Sequence, residues 1–141
     1  MSYEITIRKD GVNLTSFGRS SYIFQAITAY QSTWPEDFVP LTTDQLEKAS
    51  SWLDKKRRGL QKDIKRAEDN IERLSRGLGT VGEEVTSELL DGYILSLNEM
   101  EDELDKIQRD WYYLDLLIDV CETPGDYDNW DKKPVIEYCV G

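Results

Sequence analysis

Apolar positions along the chain begin with a period of two, shift to intervals of three and four, and return to a short apolar run near the end. Tyr3, Ile5 and Ile7 alternate with Glu4, Thr6 and Arg8, the pattern of a half-buried strand. Lys9-Asp10-Gly11 supplies turn chemistry and Val12 to Phe17 offers a second strand, so the spacing predicts a β-hairpin. Gly18 and Ser20 or Ser21 punctuate the entry to a short helix ending near Tyr30, with Ile23, Phe24, Ala26, Ile27 and Tyr30 as its apolar positions. A loop containing Trp34, Pro35 and Pro40 is expected next.

Thr42-Thr43-Asp44-Gln45 has the spacing of a capping box, with Thr42 as N-cap and Leu41 and Leu46 at the two staple positions. Leu46, Ala49, Leu53, Leu60, Ile64, Ala67, Ile71 and Leu74 then recur at mostly helical intervals, interrupted once at Lys56 or Arg57, which predicts a helix to about Arg76. Gly77, Gly79 and Gly82 break it. A second long helix is predicted from Glu83. Its positions Tyr93, Leu97, Met100, Leu104, Ile107, Trp111, Leu114, Ile118 and Cys121 alternate intervals of four and three, a heptad seam. Pro124-Gly125 ends it, and Val135 to Val140 is a candidate third strand.

These elements predict an α+β fold, mainly α, in one domain over 1–141: a long antiparallel, coiled-coil-like helical hairpin, with a small three-stranded antiparallel sheet and one short helix packed at its base. Its parts are a β-hairpin plus short helix over 1–41, the helical hairpin over 42–122 with its tip at 77–82, and a loop and C-terminal strand over 123–141. Helices of about 35 and 40 residues run roughly 50–60 Å. A turn near Gly79 sets Lys55–Arg58 beside Glu101–Glu103 and Ala67 opposite Gly92, where the backbones are expected to approach closely. The stretch from Trp111 to Val120 is apolar almost all round, so cover on several sides is expected from the sheet and short helix. Trp52, Tyr112 and Tyr113 are expected to pack in the core or between helices. An exposed remainder of either seam favours self-association.

Charge narrows the functional classes. The chain has 17 basic and 28 acidic residues, a net charge of -11, and no histidine. Catalytic triads, histidine metal sites and most neutral-pH proton shuttles therefore lack their central side chain. The acidity opposes binding to nucleic acid or an anionic membrane. The N-terminal residues alternate polar and apolar and do not form the apolar run of a signal peptide, and no window has the length of a membrane span, so a cytoplasmic protein is expected. Cys121 and Cys139 are too few for a disulfide framework or a four-ligand zinc site and are expected to be reduced and partly buried.

The charge is also segregated: Glu83 to Glu122 has thirteen acidic and two basic residues, whereas Thr42 to Arg76 has ten basic and seven acidic. An acidic ridge at Glu99, Glu101, Asp102, Glu103 and Asp105 is the first candidate for binding a partner protein, against the plainer reading of a solvated face. Lys55, Lys56, Arg57 and Arg58 are the candidates for an anionic nucleotide, against the plainer reading of cross-helix ion pairs. Tyr127 and Trp130, in a polar loop, suit either a cap on the core or an anchor for a partner. Asp126, Asp128 and Glu137 match three positions of a calcium-loop template, but Trp130 and Asp131 break it. Helical di-metal sites use a Glu-x-x-His pattern that this chain lacks, so neither a metal nor a cofactor is expected.

The leading expectation is a non-enzymatic, homo-oligomeric interaction module that acts by occupying another macromolecule. By analogy, small acidic inhibitors used by phages against host machinery have this size and charge. A nucleotide-sequestering homo-oligomer near Arg57 and Arg58 is the alternative, and a structural coiled coil or assembly chaperone is a third.

Overall fold

The computed structural model describes residues 3–76, 83–123 and 134–141 and is mainly helical, with a small antiparallel sheet. The predicted glycine turn at 77–82 and the stop at Pro124-Gly125 lie outside the described residues. The chain divides into two compact units, residues 1–54 with 109–141 and residues 55–108.

In the first unit, β1 (Glu4–Lys9) pairs with β2 (Val12–Gly18) through the two-residue turn Asp10-Gly11. Both turn residues have positive φ, 52° and 81°. That is the type I′ geometry whose twist suits a hairpin, and Asp-Gly is a sequence that tolerates it. Asp10 also holds the turn to the C-terminal segment, because its Oδ1 accepts from the Val135 amide at 2.9 Å.

The sheet has four strands rather than the three expected, in the order β2-β1-β4-β3. The last strand in sequence, β4 (Ile136–Val140), pairs antiparallel with β1, and the additional strand is β3 (Val39–Pro40), paired with β4. Pro40 was expected in a loop. A two-residue strand carries no alternating pattern to read, and its edge position is where proline is tolerated in a sheet.

Cross-strand partners share a face, so the register sorts the side chains. Ile5 and Ile7 lie with Tyr138 and Val140 on the buried face. On the opposite face the Thr6 and Ser16 hydroxyls are 3.3 Å apart, and Arg8 forms a 3.0 Å ion pair with Glu137 while its guanidinium lies 3.9 Å from the Phe38 ring centre.

The short helix α1 (Tyr22–Thr28) buries Ile23, Phe24, Ala26 and Ile27. It stops before Tyr30, which was expected to pack inward and is instead exposed. Seven residues are too few for an isolated helix, so α1 depends on packing and caps. Ser21 Oγ accepts from the Phe24 amide at 3.1 Å, and the buried Asp110 accepts from the Tyr22 amide at 2.8 Å. Trp34 packs edge-on against both Phe24 and Tyr3, with ring centres 5.3 and 5.5 Å apart.

Helix α2 (Thr43–Ser75) starts at the predicted capping box: the Thr42 amide donates to Gln45 Oε1 at 2.8 Å and the Gln45 amide donates to Thr42 Oγ1 at 3.2 Å. Leu41 and Leu46 are both buried, as a staple requires. Helix α3 (Glu83–Glu122) has no basic residue in its last turn. Lys9 of β1 supplies that charge, donating to the carbonyls of Val120 and Thr123 at 2.8 and 2.6 Å.

The core of the first unit includes Leu53, Leu114, Leu117 and Cys121 from these helices. Each fully buried Ile, Leu or Phe contributes about 1.5–3 kcal/mol relative to exposure. The all-round cover expected for 111–120 is not present: Tyr112, Tyr113, Leu116 and Val120 are exposed. Trp52 is half-buried.

In the second unit, buried and half-buried positions follow the apolar stripes. Ile64 and Ala67 are buried and Leu60, Ile71 and Leu74 half-buried on α2; Ile107 is buried and Tyr93, Leu97, Met100 and Leu104 half-buried on α3. Arg57, half-buried, is the residue that occupies the stripe at its interruption. The close backbone approach expected at Gly92 is not found, since a Cβ there meets nothing within 4 Å. Gly92 falls beside the seam rather than on it.

Candidate functional site

The acidic ridge is on the part of α3 that belongs to the second unit. The heptad repeat fixes its orientation: the seam withdraws Leu97, Met100, Leu104 and Ile107, and leaves Glu99, Glu101, Asp102, Glu103 and Asp105 exposed. Asp102 lies on the side opposite the seam with Glu99 and Asp105 to either side of it, while Glu101 and Glu103 flank the seam. Glu103 has an interaction partner, whereas Glu99, Glu101, Asp102 and Asp105 have no ion-pair partner among the described residues. These four carboxylates form a concentrated, solvated negative strip with its charge uncompensated at contact range.

The basic candidates are arranged differently. Lys55, Lys56 and Arg58 are exposed and Arg57 is half-buried with its Nε withdrawn from solvent. Lys56, Arg57 and Arg58 each have an interaction partner. Four consecutive residues also point around a helix, so the run does not converge on one point as a phosphate cradle does.

Tyr127 and Trp130, and with them Asp126, Asp128 and Asp131 of the calcium template, lie outside the described residues. Glu137, its last position, is a β4 residue engaged by Arg8. Among the described residues no cluster of His, Cys, Asp or Glu has a metal-binding arrangement, and no helix is long and apolar enough to cross a membrane.

Two concavities in the first unit escaped the sequence reading. One, of about 530 Å³, is lined in part by Leu41, Thr42, Leu46, Cys121, Glu122 and Val135. Both cysteines are free thiols, Cys121 buried and Cys139 half-buried. Burial pushes the Cys121 thiol above its ordinary pKa, opposed by the nearby Lys9 charge and reinforced by Glu122. A thiol held protonated is a poor nucleophile, so this cleft lacks the activated cysteine that covalent chemistry requires.

The other concavity is an apolar groove of about 400 Å³ between β2 and the C-terminal part of α3, formed chiefly by Leu14, Phe17, Tyr113, Leu116 and Val120. Its signals in the sequence were the charge-free run Val12–Gly18 and the excess apolar residues after Trp111, neither of which shows which side stays open.

Comparison with known protein families, with curated proteins and with solved structures finds no match. The functional reading therefore rests on the surfaces themselves.

Proposed function

We propose that this chain is a non-enzymatic interaction module that occupies a basic surface on another protein through the acidic ridge of α3, acting as an inhibitor or regulator of that partner. The observation that supports it is the contrast in charge compensation: Glu99, Glu101, Asp102 and Asp105 are exposed without ion-pair partners among the described residues, while Lys56, Arg57 and Arg58 are already engaged. A one-signed strip on a rigid helix steers a complementary partner and fixes its register. In this proposal the two apolar stripes of the second unit pack as an antiparallel helical hairpin, which stiffens α3 and keeps the ridge outward. The burial of Ile64, Ala67 and Ile107 supports that pairing.

The alternative, an anionic nucleotide at Lys55–Arg58, requires breaking interactions that three of the four residues already make. Thermal unfolding separates the two readings, because a ligand selective for the folded state raises the midpoint. The interaction reading predicts no shift across nucleoside mono-, di- and triphosphates, and retention of a stoichiometric protein from an extract of the native cells after nuclease treatment. A nucleotide-dependent shift with no retained protein overturns it.

A further inference from the structure

We propose that two copies of the chain associate through the β2 edge and the adjoining apolar face of α3, joining two four-stranded sheets into one of eight. This surface lies in the first unit and the inference is independent of the acidic ridge.

The two edges of the sheet are treated oppositely. The β3 edge is two residues long and ends in Pro40, a combination that blunts strand addition. The β2 edge is seven residues long, and Val-Asn-Leu-Thr-Ser-Phe-Gly contains neither a charge nor a proline. In a chain that is 32% charged, that omission leaves an edge open to pairing. The one irregularity, the register shift between Ile7 and Arg8, leaves Thr15 to Gly18 in regular pairing with β1.

Charge argues for a second copy as the occupant. Two chains of net charge -11 repel each other over most of their surfaces, so a self-interface is favoured where charge is lowest. Antiparallel self-pairing about a two-fold axis near Thr15 places only neutral β2 side chains against one another. It also brings Arg19, just beyond one end of the strand, towards Asp10 of the second copy, just beyond the other. An unlike pair thus closes each end of the interface.

The same axis accounts for the groove. Thr15 and Phe17 pair with Ile7 and Ile5, so they point to the helix-bearing face of the sheet. A two-fold perpendicular to the sheet keeps both copies' helices on that face. The α3 surfaces carrying Tyr112, Tyr113, Leu116 and Val120 then meet beneath the joined strands, and Phe17 and Leu14 of each copy lie over the groove of the other. Val12, Leu14 and these four α3 residues are between 39% and 68% exposed. At about 150–250 Å² for an aromatic side chain and less for Val or Leu, they present on the order of 500 Å². That meets the apolar share of a standard interface, which buries about 800 Å² per partner, a little over half of it apolar.

Sedimentation equilibrium of the full chain over a wide concentration range, with hydrogen exchange at the same concentrations, tests the proposal. The expected result is a mass rising from 16.4 kDa towards twice that value, with exchange of the Val12–Gly18 amides slowing in step. The double variant Leu14→Lys/Leu116→Lys, with an unchanged far-UV spectrum, should weaken the dimer by at least about tenfold through unpaired charges placed in the interface. Tyr30→Lys, an exposed position outside the groove, should leave it unchanged. A chain that stays monomeric throughout overturns the proposal. So does a dimer whose mass and β2 exchange are indifferent to the double variant, which would place the contact elsewhere.

Discussion

Asp110 offers the sharpest test of how the first unit is held together. Its side chain is only 10% exposed, and its Oδ2 accepts from the Tyr22 amide at 2.8 Å, at the start of a helix seven residues long. Removing the carboxylate in Asp110→Ala deletes a hydrogen bond to a charged acceptor, worth about 1.5–3 kcal/mol. It also deletes a favourable interaction with the helix N-terminus of about 0.3–1 kcal/mol. The released desolvation penalty of the carboxylate offsets part of this, for a net loss of about 2 kcal/mol. Asp110→Asn keeps an acceptor oxygen and should lose roughly half as much. Ser21→Ala removes the other cap, for about 1 kcal/mol. The double variant Ser21→Ala/Asp110→Ala should lose less than the two singles together, because both serve the same first turn. Urea unfolding followed by circular dichroism and by tryptophan fluorescence measures all four, with Trp34 reporting on α1 through its contact with Phe24. Asp110→Ala within about 0.5 kcal/mol of the parent, the range of an ordinary surface change, would refute the capping role.

Three further predictions follow from the same geometry. Lys9→Met should destabilise the chain by about 1 kcal/mol in urea unfolding, since it strips the last turn of α3 of its charge-bearing donor. Thr42→Ala should lose about 1 kcal/mol by opening the capping box, and Gln45→Ala a smaller amount. The Cys121 thiol has a higher pKa folded than unfolded, so its contribution to stability is complete below the unfolded thiol's range and is lost as pH rises through the folded value. Alkylation of Cys121 in the native chain should therefore need a higher pH than in urea, and Lys9→Met should push it higher still.

The local signals in the sequence were legible because each is complete within a few residues. Asp10-Gly11 specifies its turn, Thr42 to Gln45 specifies a helix start, and the apolar intervals of both long helices reappear as burial. The missed features depend on residues far apart in the chain. Lys9 caps α3 across 111 positions and Asp110 caps α1 across 88, and neither partner is marked by local spacing. Periodicity also reports how much of a helix is apolar and not what covers it. The region from Trp111 to Val120 was therefore read as enclosed, although one side of it borders the β2 edge strand. The acidic ridge was visible as composition, but the lack of ion-pair partners for Glu99, Glu101, Asp102 and Asp105 among the described residues required the side chains to be placed.

The most direct test of the interaction reading is quantitative capture from an extract of the native cells after nuclease treatment, comparing the parent chain with Glu101→Lys/Asp102→Lys/Asp105→Lys and with Lys55→Glu/Arg58→Glu. Retention of a stoichiometric protein should fall by at least about tenfold for the ridge variant, because reversal turns complementary charges into repulsive ones, and should hold for the basic-strip variant. Equal retention by the ridge variant, with loss in the basic-strip variant, would contradict the account.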